Sequence, residues 1–184
     1  MILEKEIKIL EIDKQEVTQK LLSLGAEKTF EGYIHDIYYD FPTEGDEKNK
    51  MHANKRMFRI RKKGEEHIYT IKNKRKKIGK KEDVVAKDEH EMEITDIESF
   101  SSVLERYGME KIREKKKHRV SYKLGEIEFD FDLYEGIPEL LEIEGPDGDT
   151  IREWIEKLGL TQKKQLLGGS KKLFEHYGIE YSYF

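Results

Sequence analysis

Cysteine is absent from all 184 residues, which excludes a disulfide framework, thiolate metal sites and a cysteine nucleophile. No apolar run approaches the roughly 20 residues of a membrane span, and the N-terminus carries acids where a signal peptide needs basic and then apolar residues. A cytoplasmic protein that engages no membrane is the expectation. No low-complexity segment offers a linker, so residues 1–184 read as a single domain long enough for a full core. A surplus of positive charge is also lacking: 35 Lys and Arg stand against 39 Asp and Glu, without the global basic field of a nucleic-acid binder. What the chain does have is charge sorted by sign. Lys55 to Lys81 holds 13 Lys and Arg against Glu65 and Glu66, whereas Glu126 to Glu144 holds eight carboxylates and no cation. Such a charged chain could stay loosely ordered, but its aromatic content of 10% argues for a packed core.

The periodicity is that of strands. Residues 2–10 alternate, with Leu3, Ile7 and Ile9 opposite Glu4, Glu6 and Lys8. Residues 26–40 read as extended and aromatic, 42–54 as a loop, and strands recur at 56–63, 67–74, 87–94, 115–124, 126–134 and 140–144. Gly64 and Gly125 stand where hairpin turns are expected. Helices are predicted from Asp13, with Glu16 at capping-box spacing and Gly25 as its stop, over 96–107, over 149–158 with Asp149 near its start, and over 170–177. Connections this short favour antiparallel pairing, in a mainly β (α+β) fold.

In nearly every strand one face is apolar and the other charged. Phe58 and Ile60 oppose Arg59 and Arg61, and Ile71 opposes Thr70 and Lys72. Met92 opposes Glu91 and Glu93, and Val120 opposes Lys117 and Arg119. Phe129 and Phe131 oppose Asp130 and Asp132, and Leu141 and Ile143 oppose Glu142 and Glu144. An open sheet laced with surface ion pairs would share this alternation, but it would mix signs within a strand. Here carboxylates pair as Glu-x-Glu and cations as Arg-x-Arg. If the sheet closes with its apolar face outward under the helices, the charges converge in a lumen that compensating ions must fill. A polyphosphate with Mg2+ or Mn2+ supplies both signs: carboxylates hold the metal, and Arg and Lys hold phosphoryl oxygens.

Glu4-Lys5-Glu6-Ile7-Lys8 resembles the N-terminal signature of the CYTH superfamily, the triphosphate tunnel metalloenzymes. Phe58-Arg59-Ile60-Arg61, Thr70-Ile71-Lys72, the Glu91/Glu93 strand, Lys117-His118-Arg119, Asp132, Gly136-Ile137-Pro138 and Leu141-Glu142-Ile143-Glu144-Gly145 follow in the family's order. The resemblance implies a closed eight-stranded antiparallel β-barrel with helices packed outside. It implies Glu4, Glu6, Glu142 and Glu144 as metal carboxylates, supported by Glu91, Glu93 and Asp132. Lys8, Arg59, Arg61, Lys72, Lys117, Arg119 and Lys172, or its neighbour Lys171, would bind the triphosphate, and Lys8 would assist the attacking water if its pKa were depressed among cations.

The expected activity is metal-dependent hydrolysis of inorganic, nucleoside or thiamine triphosphate. The rivals are class IV adenylyl cyclase chemistry and a non-catalytic polyphosphate- or nucleotide-binding module. The expected partner is a small-molecule triphosphate rather than nucleic acid, and a homodimer is left open. Lys74–Lys81 and the Lys115-Lys116 pair are read as solvated. The tail Tyr181–Phe184 is read as covering the outside, and the six histidines show no ligand spacing.

Overall fold

The computed structural model describes residues 5–42, 56–74 and 87–181. Their order is β1 (Lys5–Ile9), α1 (Lys14–Ser23), β2 (Glu27–Asp40), β3 (Arg56–Lys63), β4 (Glu66–Lys74), β5 (Lys87–Glu93), α2 (Ile97–Arg106), β6 (Glu110–Leu124), β7 (Ile127–Leu133), β8 (Leu140–Gly145), α3 (Gly148–Lys157), β9 (Gln165–Leu166) and α4 (Ser170–His176). The strands form one sheet in the order β5-β4-β3-β2-β6-β7-β8-β1-β9, and its ladders are antiparallel. The β3–β4 and β6–β7 hairpins turn on Gly64-Glu65 and Gly125-Glu126, with φ of 60° and 61° at the glycines. Positive φ at the first central residue alone is the pattern of a type II′ turn, whose twist suits a hairpin.

The apolar face is covered by helices, as its alternation requires. Val17 and Leu21 of α1 and Ile151 and Ile155 of α3 pack on Ile7, Ile9, Val120, Phe129, Phe131 and Ile143. Each such side chain contributes roughly 1.5–3 kcal/mol when fully buried. A second cluster joins Leu104, Ile97 and Phe100 of α2 to Tyr39, Ile60 and Tyr69. At Gly145 a side chain would force its neighbours to shift, since an added Cβ would stand 2.8 Å from Ile127 Cδ1 and 3.2 Å from Ile151 Cγ1. α1 is capped by Asp13, which accepts from the Glu16 amide at 3.0 Å. α3 is capped by Asp147, which accepts from the Thr150 amide at 2.8 Å, so this helix begins before the Asp149 start expected of it.

Much of the charged face is buried too, although α4 alone among the described helices packs on that side. There Leu173 joins Leu10, Tyr134, Ile137 and Leu140 in a third apolar cluster. Burial of the remaining charged residues therefore comes from the sheet curling around them. The two longest strands, β2 and β6, assist through register irregularities at Lys28/Phe30 and Tyr38/Tyr39, since bulges sharpen local twist.

The sheet does not close into the expected eight-stranded barrel. β5 and β9 stand at its two ends, and no ladder joins them among the described residues. β9, which alternation was too short to reveal, gives β1 only the pairs Lys8↔Leu166 and Ile9↔Gln165. A two-residue strand presents too little edge to seal against the seven residues of β5, and closure needs matched strands with a consistent shear. The described helices include none long and apolar enough to cross a membrane.

Candidate functional site

Alternate residues of β6 place Arg113, Lys115, Lys117 and Arg119 on one face. The ladders bring them opposite Tyr38, Asp36, Ile34 and Gly32 of β2, and Asp36 in turn opposite Arg61 of β3. Arg59 follows on β3, opposite Thr70 of β4, which faces Glu91 of β5. The result is a cationic half-site. Arg61 donates from Nε and Nη2 to Asp36 at 2.7 and 3.0 Å, and Lys115 Nζ lies 3.5 Å from the same carboxylate. Arg59 is 5% exposed; its Nη2 donates to Thr70 at 3.0 Å and reaches Glu91 at 3.4 Å. Its buried Nε has no hydrogen-bond partner among the described residues.

The second half-site mixes signs. Lys8 of β1 sits between Glu142 at 2.7 Å and Glu6 at 3.2 Å. Asp132 accepts from Lys117 at 2.7 Å and from Arg119 Nε and Nη2 at 2.6 and 2.7 Å. Arg119 also contacts Asp130 and reaches Glu142 at 3.2 Å, and Ser121 donates to Asp130 at 2.5 Å. Burial opposes ionisation of Asp132 and Glu142, but the adjoining cations outweigh it: Lys117 and Arg119 hold Asp132 below the ordinary carboxylate range, and Lys8 and Arg119 hold Glu142 well below it. At Asp130 burial prevails over Arg119 and pushes the carboxyl up. Burial drops Lys117 and Lys115 to about 8, despite Asp132 beside the one and Asp36 beside the other. Lys8 is different: burial works against its charge, yet Glu142 and Glu6 raise its pKa. The depressed pKa that a proton-accepting Lys8 required is not found, because its neighbours are carboxylates rather than cations.

The metal expectation concerns the next row of the same face. The register aligns Glu6, Glu144 and Glu128 on adjacent strands β1, β8 and β7. Like charges directly opposite each other repel, and an all-oxygen donor set suits Mg2+ or Mn2+. Among the described residues no three carboxylates or histidines already converge as a metal cage. Glu4 lies outside the described residues, as does the side chain of Lys72, whose β4 backbone stands opposite Glu89. Glu91 and Glu93 are on the exposed edge strand β5. Lys172 is exposed on α4, where its side chain passes over Gly168, and Lys171 is exposed toward Glu175 at 3.9 Å. Neither lysine joins the buried cluster.

The sequence reading passed over several members. Lys115 was expected to face water, but it shares the parity of Lys117 and is directed inward beside Asp36, while Lys116 is exposed. Asp36 and Arg113 were hidden in segments read as aromatic or as preceding a strand, although both obey the same alternation. Tyr181 also turns inward: the Arg113 guanidinium carbon lies 3.9 Å from its ring centroid and 4.2 Å from that of Tyr38. A groove of about 730 Å³ beside α4 is lined by Lys115, Lys117, Tyr134 and Phe174, and by Tyr33 and His118.

The CYTH domain family matches residues 3–177, nearly the whole chain. The chain belongs to the CYTH family. No curated protein matches it in sequence. Among solved structures, a candidate adenylate cyclase from Vibrio parahaemolyticus is similar at 19% identity and a TM-score of 0.69, covering 95% of this chain and 98% of that one. A Pyrococcus horikoshii protein is similar at 23% identity and a TM-score of 0.68, covering 88% and 94%. A candidate adenylyl cyclase from Hippeastrum, described as having a dominant triphosphatase activity, is similar at 16% identity and a TM-score of 0.63, covering 98% and 97%. At these identities the likeness establishes a shared CYTH fold.

Proposed function

We propose that this CYTH protein is a metal-dependent hydrolase of triphosphate-containing small molecules, bound on the charged inner face of the curled sheet. The observation that carries the reading is the imbalance of the β3/β2/β6 half-site. Arg59, Arg61 and Lys115 gather around Asp36, with Arg59 Nε lacking a partner among the described residues. Buried cations in excess are costly unless an anion completes them, and guanidinium forks match phosphoryl oxygens. Arg59, Arg61, Lys115 and Lys117 would bind and orient the phosphate chain. Lys8, held as an ammonium by Glu142 and Glu6, would place positive charge at the boundary between the two half-sites. Glu6 and Glu144, with Glu4, would hold Mg2+ or Mn2+, which when bound supplies Lewis-acid neutralisation of phosphoryl charge. The protein's part in phosphoryl transfer is then positioning and electrostatic stabilisation.

Adenylyl cyclase chemistry is the second reading, favoured by the Vibrio parahaemolyticus likeness. The same cations serve both, and the difference lies in how the nucleotide is turned. Phosphate release and cyclic AMP formation should be assayed in parallel on inorganic triphosphate and ATP, with Mg2+ or Mn2+. Phosphate release without cyclic AMP supports hydrolysis, cyclic AMP with pyrophosphate replaces it by cyclisation, and the absence of both with no triphosphate binding overturns the reading.

A further inference from the structure

Asp36 is fully buried in the midst of the cations just described. For a pocket built to hold a polyanion, a carboxylate there is adverse, because it cancels positive charge where phosphate is to sit. Its geometry supplies a reason for its presence. Both oxygens engage Arg61 side-on through Nε and Nη2, at 2.7 and 3.0 Å, which turns the opposite edge of the guanidinium away from Asp36. Oδ2 also lies 3.5 Å from Lys115 Nζ and accepts from the Tyr38 hydroxyl at 3.3 Å. One carboxylate on β2 thus ties together cations from β3 and β6, the two strands flanking it. We propose that Asp36 is a positioning residue for triphosphate recognition, fixing the plane of the Arg61 guanidinium and holding the Lys115 ammonium beside it before substrate enters. The assignment rests on the triphosphate reading of the site. Long cationic side chains lose rotamer freedom on binding, and a partner that has already ordered them removes that cost.

A second consequence concerns protonation. Lys115 is faced by Asp36 and the Tyr38 ring from β2, by Arg59 and Arg61 from β3, by Arg113 and Lys117 on its own strand, by Tyr134, and by Ser170 of α4 at 3.3 Å. Burial and the surrounding cations disfavour its charge, and Asp36 supports it. Removing the carboxylate should therefore deprotonate Lys115 at lower pH, a change that a merely structural defect would not produce.

The test uses the full chain and inorganic triphosphate as probe, with binding followed by calorimetry without metal and kcat/KM followed against pH. Asp36→Asn should weaken binding by about tenfold, the scale of one charge-assisted hydrogen bond. It should act mainly on KM and move the alkaline limb of kcat/KM to lower pH. Arg61→Ala combined with Asp36→Asn should bind more weakly than Arg61→Ala by less than the full Asp36→Asn loss, because the Arg61 part of the Asp36 role is already gone and only the Lys115 part remains. Additive losses with an unmoved alkaline limb would overturn the proposal. Should Asp36→Asn fail to fold, Arg61→Lys becomes the deciding variant, since it keeps the charge and loses the fork. Affinity as poor as that of Arg61→Ala supports positioning, and wild-type affinity overturns it. If the wild type does not bind inorganic triphosphate, the reading of the site falls and this proposal with it. If the wild type binds and Asp36→Asn binds equally well, the role of Asp36 alone falls.

Discussion

Lys8 and Lys115 are both ammonium groups withdrawn from water, yet their protonation moves in opposite senses because of what stands beside them. Two carboxylates embrace Lys8 and raise its pKa against burial, whereas Lys115 has Asp36 against several cations and falls to about 8. Between about 8 and the ordinary 10.5, the unfolded chain holds the Lys115 proton and the folded protein has released it. More protons on the unfolded state means that the Lys115 contribution to stability rises with pH across this window, and that its cost is fully present below it. Lys115→Met should accordingly be more stable than wild type below pH 8, by a margin in melting temperature that shrinks toward pH 10.5; a margin constant with pH would refute this. Asp132 faces the opposite test. It is fully buried between Lys117 and Arg119, so Asp132→Asn leaves two buried cations short of their counter-charge and should cost about 3–5 kcal/mol in denaturant unfolding.

At the scale of elements, local signals compete over short distances and tertiary packing decides among them. The segment Asp147-Gly148-Asp149-Thr150 offers two carboxylates able to open α3. Asp147 does so, accepting both the Thr150 amide and its hydroxyl at 2.8 Å. The helix that starts there directs Ile151 and Ile155 onto the sheet. Asp149 is left in the first turn with Arg152, where its charge suits the helix dipole. Asp147→Ala should lose about 1 kcal/mol of stability and Asp149→Ala less than half of that, measured by equilibrium denaturation. Gly145 tests the contact from the other side. Its missing side chain lets α3 and Ile127 close over β8, so Gly145→Ala should cost about 1–3 kcal/mol through overpacking, with triphosphate affinity retained. β6 runs from Glu110 rather than from Lys115 because its ladder with β2 continues through Arg113 opposite Tyr38 and, past the irregularity at Ile112, to Lys111 opposite Tyr39. That extension is what carries Arg113 into the site.

For the whole molecule, the proposed function makes the fold's stability depend on a polyanion that completes the cations around Asp36. Inorganic triphosphate at about a hundred times its Kd should stabilise the fold by about 2.7 kcal/mol. Raising the salt concentration should reduce the gain by weakening the affinity. Glu6→Gln combined with Glu144→Gln should abolish metal-dependent turnover, measured with Mg2+ or Mn2+ on inorganic triphosphate. Retained metal-dependent turnover in that double variant would remove these two residues from the site.

Which side chains share a face was legible without any structure. Alternation is a property of the backbone, so Arg59 and Arg61, or Glu142 and Glu144, must fall on one side together. The partition into an apolar face beneath helices and a charged face turned inward was readable for the same reason, and so was the CYTH resemblance across the strands. The ends of the sheet were not. Whether β5 meets β9 depends on twist accumulated over nine strands and on a two-residue strand with no periodicity to read. Nor could residue types say which partner claims a given charge. Alternation places Glu6 beside Lys8 and puts Lys115 between Arg113 and Lys117, but the ladders alone set Glu142 opposite the one and Asp36 opposite the other. A strand's own residues determine its faces, but its neighbours belong to segments far away in the chain, and it is the neighbours that set the charge of the site.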